Sequence, residues 1–476
     1  MMLFDRLQEW YYTPPAQAAL LGIVFLLNFA AYLTIQAFAE RTYGDVLASN
    51  TTVALYSTFT VSCFFSPSIV LRMGPRRAMA VGIIGYAVLV VASLAYFVWE
   101  IPDYVVVIAG AINGLGSALL WNSQGVLILQ YSDRGSNGGT LFSIFWAFFN
   151  MSAIIGGIIS FWYFQKNQGN SDYTVLYIVF LGFIIAGAFC TRFLLPPSLL
   201  RRETSPEPFV EVPDASSRQH LLIDQPSYSS ITNDEPAKSE SWTKEGLETL
   251  ALFRTRRMLI VSVLFFYTGF KQPYQIVTFG NRYFNDATLS LEVMMFYFVN
   301  MLGGIWIGRV VDGSCWFCGS HLVKQHRVVA IRCLWVSVIF TTIGNACAVA
   351  QEWKCRNAVH DELCVVALDY MALVPSIAYA CWGFTDATVQ TYCYWLLGLY
   401  YESQEEQSRA IGFYICVQSF GWALGFWFIP ASRMKPITQL AWTVVTYFVG
   451  TILCLWELPP RPKLRPSSDK GKEVTF

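Results

Sequence analysis

The sequence predicts an all-α integral membrane protein of twelve spans, arranged as two bundles of six helices joined by a polar linker. Three observations carry this reading. The 476 residues are 55% hydrophobic and only 13% charged, about half the ~25% charge of an ordinary soluble chain. The missing charge is unevenly spread, so that long stretches hold none. Those stretches recur near the ~20 residues that cross ~30 Å of hydrocarbon.

Twelve segments meet the length requirement. In the first half they are residues 17–38, 52–71, 78–99, 104–130, 140–164 and 173–195. In the second half they are residues 258–279, 291–311, 328–350, 366–399, 409–429 and 437–458. The tenth is too long for one straight span and implies an extra-membrane turn; eleven spans is the alternative count if it is misread. The organisation is therefore an N-terminal bundle (1–195), a linker (196–257), a C-terminal bundle (258–458) and a basic tail (459–476). The start of the chain lacks the basic stretch and small-residue cleavage site of a cleaved leader, so the first span reads as a retained helix.

The linker is rich in Ser, Pro, Glu and Asp and has too few apolar residues to offset the entropy of ordering it. Its end differs. Leu247, Leu250, Leu252 and Phe253 recur at helical spacing before Arg254, Arg256 and Arg257, the pattern of an amphipathic helix on a membrane surface. Tyr228 and Ile231 fit a loose tyrosine-based sorting pattern that is common by chance.

Charge asymmetry sets the orientation. With both termini cytosolic, the inner segments, counting Arg409 at the inner edge of the eleventh span, hold 21 Lys and Arg residues and the outer loops hold seven. Asn50 then begins an outward-facing Asn-Thr-Thr glycosylation sequon, whereas the Asn150-Met-Ser sequon falls inside a span. Cys355 and Cys364 share an outer loop, an oxidising setting in which they are a candidate disulfide pair. The remaining cysteines are mostly single residues within spans. Cys315, Cys318, His321 and His326 are spaced unlike either common zinc pattern, and no metal is expected.

Several function classes fall away. Lys plus Arg equals Asp plus Glu, at 32 each, and the basic residues lie in short loops and the tail, so nucleic acid is not an expected partner. His220, His321, His326 and His360 all lie in loops without a nucleophile and acid beside them, and no phosphate-binding or dinucleotide signature occurs. No enzyme activity and no cofactor are expected. The expected surroundings are the lipid bilayer of an unspecified membrane.

Specific strings narrow the reading. AINGLGSALLWNSQGVLIL (111–129), Gly138 and Gly139, FSIFWAFFNMSAIIGGIIS (142–160), RRMLIVSVLFFYTGFKQ (256–272), MLGGIWIGRVVDG (301–313) and GFTDATVQTYCYWLLGLYYESQEEQSRAIGFYICVQS (383–419) run collinearly through both halves. Together they resemble the uncoordinated-ninety-three family, a divergent branch of the major facilitator superfamily. The resemblance implies the major facilitator fold, whose central cavity is lined by the first, fourth, seventh and tenth helices. It implies no settled activity. Some relatives are held to regulate potassium channels, others to escort receptors, and many are described as transporters without an assigned substrate.

Charges inside spans are costly, by ~2.5–3.5 kcal/mol at the bilayer centre on insertion scales, so each needs a partner or a wet cavity. Lys271 and Asp386 fall near mid-span on the seventh and tenth helices. Helical spacing groups Tyr267, Lys271, Tyr274 and Thr278; Tyr379, Gly383, Asp386 and Gln390; Asn113, Ser117, Trp121 and Gln124; and Asn28, Tyr32 and Gln36. These four faces form a candidate cavity for an unidentified small solute or ion. Three roles remain open for the charges: anchors for the solute, a gate that breaks during alternating access, or an interhelical salt bridge with amides as packing glue.

The loop after the second span keeps Arg72, Gly74, Arg76 and Arg77 of the superfamily's gating motif, but Leu71 stands where its acid is expected. The corresponding later loop has Gly308, Arg309, Asp312 and Gly313, nearer the pattern. The bland alternative for these arginines is topology alone. A secondary carrier is thus the leading expectation, and a non-transporting regulator or escort of another membrane protein the alternative.

Overall fold

The computed structural model describes residues 8–132, 138–166, 174–200, 251–284, 286–312, 326–355, 373–401, 403–429 and 433–458. The N-terminal half comprises α1 (Pro14–Ser62), α2 (Ser66–Met73), α3 (Pro75–Trp99), α4 (Asp103–Tyr131), α5 (Gly138–Lys166) and α6 (Thr174–Cys190). The C-terminal half comprises α7 (Arg256–Gln272), α8 (Phe279–Tyr283), α9 (Asp286–Val311), α10 (His326–Cys355), α11 (Leu373–Tyr400), α12 (Gln404–Trp427) and α13 (Pro436–Trp456).

Among the described residues, nine helices are long and apolar enough to cross a membrane. A tenth span forms if Val46–Ser62 and Ser66–Met73, which meet at 67°, count as one. Twelve is reached only by adding the seventh and tenth expected spans, which are the helices bearing Lys271 and Asp386. Length sets one apart and polarity the other: α7 runs only 17 residues before its geometry changes, and α11 is crowded with Thr, Tyr, Gln and Asp386.

Three boundaries differ from the sequence reading. The first two spans are joined within the single element α1, which breaks only at Gly44, where φ is 80°; glycine alone occupies that region without steric cost. The second span bends at Ser62–Ser66, ahead of Pro67, whose ring suits the first turn of a helix. The seventh passes through a π-helical stretch, Pro273–Thr278, before α8, because Pro273 lacks the amide hydrogen that would continue the ladder. Of the expected amphipathic helix only the last residues are described. There Phe253 is buried against Phe413 and Phe64, with ring centroids 4.7 and 5.2 Å away, so its end docks on protein.

The outer surface is apolar. Ile84, Val91, Ile108, Leu115, Ile185, Ile339 and Ile452 are all exposed, an arrangement suited to lipid and not to water. Trp99, Trp353 and Trp456, near helix ends, are 72%, 71% and 72% exposed, as expected for an interfacial aromatic belt.

Two long contacts join the halves. In one, α5 lies along α9. Gly139 and Gly308 oppose each other so closely that a Cβ on either would overlap the other's carbonyl oxygen. Ser143 Oγ adds a hydrogen bond to Gly304 O at 2.8 Å. Asp312, just past the end of α9, receives the Gly139 amide at 2.9 Å, the Thr140 amide at 2.6 Å and the Thr140 hydroxyl at 2.5 Å. A carboxylate there satisfies the orphan amides and complements the positive end of α5. Burial raises the Asp312 carboxyl above its ordinary pKa, and these three hydrogen bonds oppose the rise. In the second contact, α1 lies along α12. Tyr56 stacks on Phe426 at 5.4 Å and Thr60 Oγ1 meets Ser419 Oγ at 3.0 Å.

Replacing Gly308 by Leu is expected to overpack the α5–α9 contact, costing about 1–3 kcal/mol. Asp312→Ala should cost about 1–2 kcal/mol through loss of the cap. Both are read as a lowered midpoint of thermal unfolding in detergent; unchanged midpoints contradict the arrangement.

Candidate functional site

The two membrane charges meet. Lys271 Nζ donates to Asp386 Oδ1 at 2.6 Å, with the Lys271 side chain fully buried and that of Asp386 6% exposed. Sequence places them: Lys271 is the penultimate residue of α7, immediately before the Pro273 break, and Asp386 is midway along α11. Lys271 also lies over the Tyr267 ring, 5.8 Å from its centroid, where a cation gains from the ring quadrupole.

The pair belongs to a longer series. Asn300 Nδ2, on α9, donates to Asp386 Oδ2 at 2.8 Å. Asn150 Nδ2, on α5, donates to Asn300 Oδ1 at 3.0 Å and to Trp146 O at 2.7 Å. All four polar side chains are buried. Lys271, Asp386 and Asn300 belong to the C-terminal half and Asn150 to the N-terminal half. The series therefore crosses the α5–α9 contact. Asn150 and Asn300 are absent from the candidates that the sequence suggests. Their signal is the spacing Gly139, Ser143, Asn150 on one helix and Asn300, Gly304, Gly308 on the other, small residues leading to an amide.

The other candidates divide. Tyr267 packs on Tyr447 at 4.8 Å, and Tyr274 donates to Glu352 Oε1 at 3.2 Å. Thr278 donates to Gln439 Oε1 at 3.0 Å. Their shared face is thus turned to three different partners, and Tyr267 and Tyr274 lie inside the C-terminal bundle, 1% and 2% exposed. Gln390 accepts from Gln418 at 3.1 Å. In the N-terminal half, half-buried Trp121 stacks edge-on against Phe25 and Phe29 at 5.1 and 5.3 Å. Gln36 lies close to the Tyr56 hydroxyl. Asn28 and Asn113 are fully buried with neither amide atom partnered among the described residues, and Gln124 Oε1 is in the same state. Such atoms are costly unless something fills them.

A second polar cluster, unforeseen from sequence, flanks the π-helical break. Arg282 and Tyr274 both reach Glu352, with the ion pair at 3.6 Å. Tyr379 donates to Ile276 O at 3.0 Å, within the irregular turn.

At the loops the halves are unequal. Asp312 crosses between them, while Arg309 is exposed beside it. Arg76 donates to Arg192 O at 2.9 Å, a contact within the N-terminal half, and Arg72, Gly74 and Arg77 lie with it around the turn at Gly74, φ 80°. The start of α12, the counterpart of the capped α5 terminus, is served by residues adjoining the helix itself. Ser403 Oγ accepts from the Glu406 amide at 3.1 Å, and Glu405 and Glu406 occupy the first turn. Acids on α12 itself thus stand at a terminus that Leu71 cannot cap.

Asn50 is exposed, but its sequon is helical. Thr51 is 4% exposed and Thr52 Oγ1 donates to Ala48 O at 2.9 Å. Cys355 is disulfide-bonded; Cys364 lies outside the described residues, as do Cys315, Cys318, His321, Tyr228 and the basic tail.

Comparison with known proteins places this geometry. The chain is 26% identical to UNC93-like protein 1 of Arabidopsis thaliana over 448 residues, covering 92% of this chain and 89% of that protein. It is 23% identical to UNC93-like protein MFSD11 of Xenopus tropicalis over 457 residues, covering 91% and 93%. Among solved structures, the E. coli fucose:proton symporter superposes with a TM-score of 0.60 at 12% identity, over 94% of this chain and 99% of that one. The same transporter in its outward conformation gives 0.61 over 94% and 100%. At that identity the likeness shows the fold, and it is the major facilitator fold. The family model described as ion channel regulatory protein UNC-93 matches residues 50–456, and the chain belongs to the UNC-93 family.

Proposed function

We propose that this transporter-type membrane protein is a secondary carrier that moves a small solute or ion by alternating access. One observation carries the reading: a buried ion pair in one half is hydrogen-bonded, through Asn300, to Asn150 in the other. A pair serving only to hold the C-terminal bundle together would not need that extension. Burying two charges is rarely a gain in stability over apolar packing, so their retention at the joint between two rocking bodies points to work done when the joint moves. The unpartnered amides of Asn28, Asn113 and Gln124 supply hydrogen-bonding capacity in the N-terminal half, as a solute site requires. The fucose:proton symporter, a carrier by its description, shares the fold.

A second reading is supported by the description of the family as ion channel regulators and by the unequal loops. In it the same fold is a scaffold for another membrane protein, and the ion pair is structural.

Thermal stabilisation of the purified protein across a library of metabolites and ions, followed by uptake into proteoliposomes, separates the two. The carrier reading predicts at least one stabilising solute whose uptake falls at least tenfold in Lys271→Ala or Asp386→Ala. Folded protein that moves nothing, yet co-purifies stoichiometrically with a membrane protein, supports the scaffold instead.

A further inference from the structure

Each hydrogen bond in the series has a direction. Asn150 Nδ2 donates to Asn300 Oδ1, Asn300 Nδ2 donates to Asp386 Oδ2, and Lys271 Nζ donates to Asp386 Oδ1. An ionised carboxylate only accepts, whereas a protonated one also donates. Asp386 therefore ends the series as an acceptor on both oxygens, and a proton on either reverses one contact.

We propose that Asp386 binds a proton in the working cycle, and that Asn300 and Asn150 pass its protonation state to the N-terminal half. The inference rests on the carrier reading and names the coupling ion for it. The proton comes from water on one face, forms an O–H bond on Asp386 and returns to water on the other; no other covalent bond changes. On Oδ1 it sets an O–H against the Lys271 ammonium, and the two donors repel. On Oδ2 it faces Asn300 Nδ2. The Asn300 amide then turns over to accept from the acid, which presents its Nδ2 to Asn150. Asn150 must turn in answer and offer Oδ1, an atom with no partner in this arrangement, giving up its bond to Trp146 O. Two amide rotations thus carry an event on α11 to α5.

Protonation also strips Lys271 of its counter-charge. A buried ammonium without one is strongly disfavoured, so this packing does not survive the proton, and admitting water at the α5–α9 joint relieves the cost. The titratable groups facing Asp386 are Lys271 and Tyr267 on α7, Tyr297 on α9 and Tyr414 on α12. α5 presents the Asn150 amide through Asn300. Phenols remain neutral across the range in which a carboxylate titrates, so these tyrosines add no charge beside the pair.

The test uses the full chain in lipid nanodiscs, with spin-labelled amino acids at exposed Ile158 of α5 and Leu291 of α9. Inter-label distances are measured by pulsed electron resonance across a pH series. The expected result is a shift to longer distances as pH falls, a shift lost in Asp386→Asn, which holds the low-pH distribution throughout, and lost in Asn300→Val. Distances independent of pH in the wild type, or an Asp386→Asn that titrates like it, overturn the proposal. Should Asp386→Asn fail to fold, the pH-difference infrared spectrum decides. A carboxylic acid band that moves in Asp386→Glu supports the assignment, and one that does not move refutes it. A pH-driven shift in protein that carries no solute sinks the carrier reading alone, whereas solute uptake with pH-independent distances sinks the proton site alone.

Discussion

A lysine and an aspartate held 2.6 Å apart in a fully packed interior set the terms for everything around them. Each charge alone would cost several kcal/mol at that depth, so each constrains the other's helix. α7 must bring Lys271 to α11 before Pro273 disturbs its ladder, and α11 must be polar enough along its length to receive it. The consequence is visible in the fold: the helices carrying the pair are the two expected spans left outside the set of long apolar helices. Asn300 then fills the second carboxylate oxygen, and its own acceptor is filled from the other half. Satisfying one buried carboxylate thereby ties together four helices and both bundles.

The joint between the halves combines opposite kinds of contact. Along α5 and α9, glycines bring two backbones together with little side chain between them, and dispersion rewards the close approach. Toward one end the contact finishes in the Asp312 cap, and deeper in the bundle it runs through the paired amides. Close glycine packing does not stretch gradually; it is made or lost. A polar series laid across such a contact is placed to bias which state holds, and a small event at Asp386 therefore has large consequences. The second joint, along α1 and α12, rests on stacked aromatics around Tyr56 and a hydroxyl pair, and its loop end has no capping acid at the position of Leu71.

Much of this is legible in the chain without coordinates. Span length and apolar runs point to the helices, and the mid-span positions of Lys271 and Asp386 with opposite sign make their pairing one of the roles left open. The failures have physical causes. Helical spacing puts Tyr267, Lys271, Tyr274 and Thr278 on one face, but Pro273 introduces a π turn, and the phase beyond it no longer follows 3.6 residues per turn. Asn28 and Asn113 are buried without partners among the described residues, where the sequence reading has them lining a cavity. Asn150 reads from sequence only as part of an unusable sequon, and Asn300 does not stand out at all. An amide's importance depends on what faces it across an interface that no single-helix pattern describes. The junction between the first two spans departs from expectation for a simpler reason: both helices continue past the hydrocarbon thickness until Gly44 turns the chain.

The central claim is that Lys271 and Asp386 stabilise the fold through each other. A double-mutant cycle on the thermal stability of purified protein, comparing Lys271→Ala, Asp386→Ala and the double variant, measures this directly. Mutual dependence predicts that each single change costs about 3–5 kcal/mol, because it strands the other charge, and that the double change costs clearly less than their sum. Costs that simply add would mean the two charges do not depend on one another, and would contradict the claim.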